Sequence, residues 1–144
     1  MAQRMLLGKF FHTIDAKSRM NLPSKMRDLL GSSFIVTKSR NGCLLVYSLD
    51  EWTVLIDKIA NAEGDTTTVK RYVAGNAAEV EIDKQGRILI PSELREHAGI
   101  TKDVVVVGCT NYAEIWSREK WDEVDSAMTN EAMDEEIKKM GLVF

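Results

Sequence analysis

The stretch Ile14-Asp15-Ala16-Lys17-Ser18-Arg19-Met20-Asn21-Leu22-Pro23 occurs a second time as Ile82-Asp83-Lys84-Gln85-Gly86-Arg87-Ile88-Leu89-Ile90-Pro91. An offset of 68 residues carries Asp15 to Asp83, Arg19 to Arg87, Pro23 to Pro91, Arg27 to Arg95 and Gly31 to Gly99. One inserted residue later, an offset of 69 carries Ile35 to Val104, Tyr47 to Trp116, Ser48 to Ser117 and Trp52 to Trp121. Self-similarity of this length is an internal duplication, so any fold for this chain has to be built from two copies of one unit. Two units of about 50 residues are marginal alone, and a shared core is expected.

Within the repeated stretch, Asp and Arg four residues apart lie between apolar β-formers, the pattern of a tight hairpin with a charged tip. Asp15 and Asp83 are placed to accept hydrogen bonds from the turn they open, and Gly86 can supply the positive φ such turns often need. Ser18 stands where the second copy has Gly86, so a left-handed residue there carries strain on the order of 1 kcal/mol. A solvated turn needs only its turn formers. That both copies also keep a long donor side chain (Lys17, Gln85) and an Arg (Arg19, Arg87) points to a surface that recognises something.

The net charge of −3 argues weakly against nucleic acid, but its distribution argues the other way. Residues 1–40 hold eight Lys or Arg against Asp15 and Asp28, whereas the rest of the chain is acidic. One end can therefore attract phosphate. No apolar run approaches the roughly 18–20 residues of a membrane span, the longest β-like run being Val104 to Val107. The first residues are too briefly apolar for a signal peptide, so a cytoplasmic protein is expected. Cys43 and Cys109 fall in apolar, strand-like segments at non-equivalent positions and are expected to be buried, reduced thiols. With two His in the chain, no zinc-ligand spacing can be assembled, and no metal or cofactor is expected.

Taken in order, Phe10 to Ile14 and Met20 to Leu22 flank the first tip, and a short helix follows with Ser24 as its possible cap and Gly31 as its stop. Phe34 to Thr37 and Cys43 to Tyr47 form a second hairpin, so each unit reads hairpin, helix, hairpin. Ser48 to Glu51 has capping-box spacing, and Trp52, Leu55, Ile56 and Ile59 recur behind it at helical intervals. A helical connector spans Thr66 to about Ala77. The second unit repeats the first, with strands from Glu79 and a helix at Ser92 to Ala98. A helix through Trp121 and Val124 then leads to an acidic one from about Asn130 to Met140. The Trp and Met stripes are read as core packing or a subunit contact. His97 and His12 are read as satisfied or solvated.

The motifs Gly8 with His12-Thr13-Ile14-Asp15-Ala16-Lys17-Ser18-Arg19 and Leu22-Pro23, then Ala78-Glu79-Val80-Glu81-Ile82-Asp83-Lys84-Gln85-Gly86-Arg87, resemble the MraZ family of bacterial transcription regulators from about Met5 to Trp121. The resemblance implies a mainly β fold with short helices. Its two SpoVT/AbrB-like units would interlock in one β-barrel within the chain, with C-terminal helices added. It divides the chain into a first repeat at 5–52, a helical connector at 53–77, a second repeat at 78–121 and an acidic helical tail at 122–144. It further implies closed rings of chains bound to tandem G-rich direct repeats upstream of the division and cell wall gene cluster, in the cytoplasm and associated with the nucleoid. The family's Asp-x-Lys-Gly-Arg signatures, its DNA-contacting elements, fall here on Asp15, Lys17 and Arg19 and on Asp83, Gln85 and Arg87. Ser18 and Gln85 depart from the signature. Met1 to Arg4 precede the family's usual start, which makes Met5 a second candidate start of translation.

The expected function is a sequence-specific DNA-binding repressor that places β-hairpin tips in the major groove of double-stranded DNA. Arg19 and Arg87 are assigned to guanine O6 and N7, and Lys17, Lys9, Lys25 and Arg27 to phosphate. The alternative is an oligomeric interaction module or antitoxin-like member of the same fold, binding protein through the acidic C-terminal helix. An enzyme has no support: there is no paired acid and base, no nucleophile elbow and no phosphate-cradling glycine loop.

Overall fold

The computed structural model describes residues 5–144, so the reading of Met1 to Arg4 as lying ahead of the start falls outside the described residues. The first unit contributes β1 (Lys9–Thr13), β2 (Arg19–Asn21), α1 (Ser24–Leu30), β3 (Ser33–Lys38), β4 (Leu44–Ser48) and α2 (Leu49–Ala60). After α3 (Thr67–Gly75), the second unit gives β5 (Ala78–Glu81), β6 (Arg87–Leu89), α4 (Ser92–Ala98), β7 (Asp103–Gly108), β8 (Ala113–Ser117) and α5 (Arg118–Ala127), and α6 (Asn130–Lys139) ends the chain. Element for element, the second unit repeats the first.

Six strands form one antiparallel sheet in the order β1-β7-β8-β4-β3-β5, and β2 pairs with β6 in a separate ribbon. The strands at the tips do not form the ladders expected of self-contained hairpins. β1 runs along β7 from Lys9↔Val107 to Thr13↔Asp103, β5 runs along β3, and β1 and β2 share a single bridge at Ile14↔Met20. Alternating burial fixes which face of a strand points inward but not which strand it pairs with, and here both tip strands of each unit find partners in the other. The sheet ladders leave β1 and β5 as edges, so the strand pairing of the described residues is an open sheet with a ribbon and not a closed barrel.

The shared core is observed. Met20, Leu22, Met26, Leu30, Phe34, Val36, Leu44 and Val46 of the first unit pack in one cluster with Ile88, Ile90, Leu94, Ala98, Val104, Val106 and Ile115 of the second. Trp116 and Trp121 join Cys43 and Val105 in a smaller cluster, their rings 6.1 Å apart and tilted. Trp116 and Trp121 are therefore packing, one of the two uses expected, while Trp52 is half-buried beside Tyr47 with the ring centres 5.9 Å apart. On α6, Met133 and Ile137 are half-buried and Met140 remains exposed, so the methionine stripe is only partly covered within this chain.

Caps follow the duplication. Ser48 Oγ accepts from Glu51 N at 3.2 Å to start α2, and its counterpart Ser117 Oγ accepts from Lys120 N at 3.2 Å to start α5. Ser24 does not cap α1. Pro23 is the cap residue, its carbonyl accepts from Met26 N at 2.9 Å, and Ser24 is the first helical residue. The fixed φ of proline presets this entry one residue earlier than a serine cap would. Cys43 is buried and Cys109 half-buried, both free and both just outside a strand, a small departure from their expected places within strands. His97 is satisfied, its Nε2 lying 2.7 Å from the Ser39 carbonyl oxygen. No helix of the described residues is long and apolar enough to cross a membrane, and no group of His, Cys, Asp or Glu among them is arranged to hold a metal ion.

Candidate nucleic-acid interface

The two tips are built alike, bond for bond. Asp15 Oδ1 accepts from the amides of Lys17 (2.9 Å) and Arg19 (3.0 Å), and its Oδ2 accepts from Arg19 Nε at 3.0 Å. Asp83 Oδ1 accepts from the amides of Gln85 and Arg87, and its Oδ2 from Arg87 Nε, each at 2.9 Å. The main chain closes both turns, with Asp15 N donating to Arg19 O at 2.8 Å and Asp83 N to Arg87 O at 2.9 Å. The position ahead of each arginine is left-handed, φ 65° at Ser18 and 78° at Gly86, so the first tip keeps the turn of the second without its glycine.

Each aspartate carboxyl is held below the usual carboxylate range, first by the backbone N–H of the tip arginine and then by the neighbouring amide and the guanidinium. Both are therefore ionised at neutral pH. With both oxygens occupied, the aspartates organise the tips instead of offering free acceptors. Each engages its arginine through Nε, and no hydrogen bond is found for the terminal Nη1 and Nη2 groups among the described residues, which leaves them available as a two-pronged donor. Such a fork matches guanine O6 and N7. Arg19 and Arg87 retain 30% and 27% of their side-chain surface, enough to reach outward from a fixed base.

The ribbon brings the two arginines together. β2 and β6 pair as Arg19↔Leu89, Met20↔Ile88 and Asn21↔Arg87. Met20 and Ile88 are buried, so alternation places Arg19, Asn21, Arg87 and Leu89 on the outer face. Two residues along and one strand across puts the arginine Cα atoms about 8 Å apart. A two-stranded ribbon fits a major groove about 12 Å wide. Strand alternation across the tip sequences could have found Asn21 and Leu89, which lie between the arginines. Lys84 was also passed over: it is exposed in the second tip where the first has Ala16, and it restores the charge that Gln85 lacks.

The remaining candidates divide. Lys17 and Gln85 are exposed on the tips, and Lys25 is exposed in the first turn of α1. Lys9 is not brought to the tips. It starts β1, with about 13 Å of strand between it and Thr13, and its ammonium lies 5.8 Å from the centre of the Trp121 ring. Arg27 is half-buried and donates Nε to the Leu22 carbonyl at 2.9 Å, as its counterpart Arg95 does to Ile90 at 3.1 Å. His12 on β1 is held below the usual histidine range by burial and then by the charge of Arg27.

The sequence profile of the family described as "MraZ protein, putative antitoxin-like" matches residues 5–72 and again 73–142. Among curated relatives, the "Transcriptional regulator MraZ" of Lachnoclostridium phytofermentans is 44% identical over 97% of this chain and 100% of its own. The protein of the same name from Clostridium beijerinckii is 42% identical over 96% of this chain and 100% of its own. That of Caldanaerobacter subterraneus is 48% identical over 83% of this chain and 85% of its own. A profile that matches twice, in tandem, and relatives alike along most or all of their length agree with the paired tips: the chain is a member of the MraZ family.

Proposed function

We propose that this protein is a DNA-binding transcriptional regulator, acting as a repressor of the division and cell wall gene cluster. In this reading its two Asp-x-x-x-Arg tips read tandem G-containing direct repeats in double-stranded DNA. The observation that carries the reading is the pair of identically bonded tips, each presenting an arginine fork on the outer face of one ribbon. Further support comes from the relatives named as transcriptional regulators. Arg19 and Arg87 take guanine, Asp15 and Asp83 orient them, Gln85 reaches a base edge, and Lys17 and Lys25 contact phosphate. The units are SpoVT/AbrB-like, interlocked through the exchange of tip strands, and the protein works in the cytoplasm on the nucleoid. Chains assemble into a closed ring. The helices α2 and α3 support that assembly, because both are amphipathic and none of their residues is fully buried within the chain.

A gel shift on the DNA upstream of the gene tests the reading. Arg19→Ala and Arg87→Ala should each weaken specific binding by about 1–3 kcal/mol, roughly 5- to 150-fold, with thermal unfolding little changed. Lys25→Ala should weaken specific and random DNA alike and lower the salt slope by about one. Unaltered binding by either arginine variant would remove that tip from the interface. The second reading, an antitoxin-like interaction module, is favoured by the family's description and by the exposed apolar residues Val69 and Tyr72 on α3. It requires binding to a protein that survives loss of both arginines.

A further inference from the structure

We propose that Arg27 is a positioning residue for the second tip: pinned on the first unit, its guanidinium packs over Gly86 and fixes the direction in which Arg87 points. This rests on the reading of the tips as DNA-contacting, and it gives Arg27 a different role from the phosphate contact its charge suggests.

The contact is a short chain of bonds between the two units. Leu22 N donates to the Gly86 carbonyl at 3.0 Å, and the Leu22 carbonyl accepts from Arg27 Nε at 2.9 Å. One residue of the first unit thus holds both the second tip and the arginine that covers it. A Cβ built on Gly86 would fall almost equally upon Cζ, Nη1 and Nη2 of Arg27, so the guanidinium lies face-on against the bare Cα. Gly86 is accordingly buried, although it sits in a charged turn between the exposed Gln85 and the partly exposed Arg87.

The first tip shows what the absence of a side chain permits. Its Ser18 carbonyl accepts from Ile90 N at 3.0 Å, and Ile90 in turn accepts from Arg95 Nε at 3.1 Å, so the bonded chain is duplicated. Ser18, however, carries a Cβ in the position that Gly86 leaves bare, which closes the same face-on packing to Arg95. Ser18 is only half-buried. Glycine at position 86 is thus needed for more than its φ of 78°, because Ser18 adopts 65° with a side chain present. What it supplies is room for Arg27. The guanidinium plane matters as well, since a lysine ammonium keeps the charge but offers no flat face to lay on the turn.

The test is a set of variants with two readouts. Arg27→Ala, Arg27→Lys and Gly86→Ser are compared with the double variant Gly86→Ser/Arg27→Ala, after thermal unfolding confirms that each is folded. The first readout is hydrogen exchange of the Gln85 and Arg87 amides, which needs no DNA. Exchange should rise about tenfold in all three single variants while the Lys17 and Arg19 amides stay unchanged as an internal control. The second readout is DNA binding. Each single variant should lose about tenfold in specific affinity with no change in affinity for random DNA or in salt slope, and the double variant should lose no more than Gly86→Ser alone. Restoration by Arg27→Lys, or equal weakening on random DNA with a lower salt slope, would make Arg27 a phosphate contact and overturn the proposal. Unchanged exchange at Gln85 and Arg87 would overturn it too. If the unaltered protein binds no specific DNA, the functional reading fails instead, while the exchange data still decide whether Arg27 holds the tip.

Discussion

Replacing Ser18 by glycine should stabilise the protein. Ser18 is one of two non-glycine residues with positive φ among those described, at 65°, and makes no side-chain hydrogen bond that the substitution would remove. Its structural bonds are main-chain ones, Ser18 N to the Asp15 carbonyl and Ile90 N to the Ser18 carbonyl, both at 3.0 Å, and glycine keeps both. A left-handed L-residue costs roughly 1–2 kcal/mol in crowding between Cβ and carbonyl. Against this, glycine gives the unfolded chain about 0.4–1 kcal/mol of extra conformational freedom. The balance is a gain of about 0.5–1 kcal/mol, which in a chain of this size moves Tm up by about 1–4 °C. Calorimetry or circular dichroism melts at matched protein concentration would measure it. The reverse change in the other tip, Gly86→Ser, should cost more than Ser18→Gly gains, because Arg27 occupies the space its side chain needs. An unchanged or lower Tm for Ser18→Gly would refute the reasoning, and would mean that the hydroxyl contributes more than the backbone strain it entails.

Other outcomes can be checked independently. Asp15 and Asp83 have folded pKa values below the ordinary 3.8, so their contribution to tip order is complete above that pH and is lost as pH falls through the lowered values. The amide shifts of Lys17 and Gln85, both bonded to these carboxylates, should titrate with midpoints below 3.8, and a midpoint above it would contradict the bonding described. Burial and then the Glu114 charge push the Cys43 thiol up to about 12 and Cys109 up to about 11, so neither should be alkylated by iodoacetamide at pH 8 in the folded protein at more than a small fraction of the unfolded rate. Rapid native-state labelling of Cys43 would show that its site opens. Affinity should depend steeply on the number and spacing of operator boxes, with about 10² to 10⁴ gained from multiple engagement and much of it lost on inserting half a helical turn. One box binding as tightly as three would exclude joint reading by neighbouring tips.

The tips were readable because their chemistry is local. Asp and Arg four apart with a turn former between them specify a closed loop within five residues, and Ser48 and Ser117 specify their caps within three. Interactions between units were not readable in this way. Nothing in the alternation of Phe10 to Ile14 says that β1 lies on β7, since a period of two assigns faces and leaves the partner strand open. Arg27 shows the same limit: nothing local to it says that its guanidinium lies on Gly86, 59 residues away in the other unit. Ser24 was misread because a serine ahead of an apolar run resembles a cap, and the proline before it had already started the helix. The amphipathic pattern of α2 gave a helix correctly, and its apolar residues Trp52, Leu55, Ile56 and Ile59 lie half-buried on the side that packs on the sheet, although none is fully buried.

The pairing of β1 with β7 has a consequence for the order in which the protein can be made. Lys9 finds its partner at Val107, so the first strand to leave the ribosome waits for nearly the last strand of the sheet. At about 5–20 residues per second, that wait is roughly 5–20 s. Through this interval β1 has an unsatisfied backbone edge, and even in the finished chain it carries the exposed Phe11. β5 and β6 have no such wait, because their partners β3 and β2 have already been made when they emerge. A nascent chain stalled before residue 103 could therefore pair β2 with β6 and β3 with β4 and β5 while β1 still lacked its partner, leaving that strand open to chaperones or to the same strand of neighbouring chains on one message.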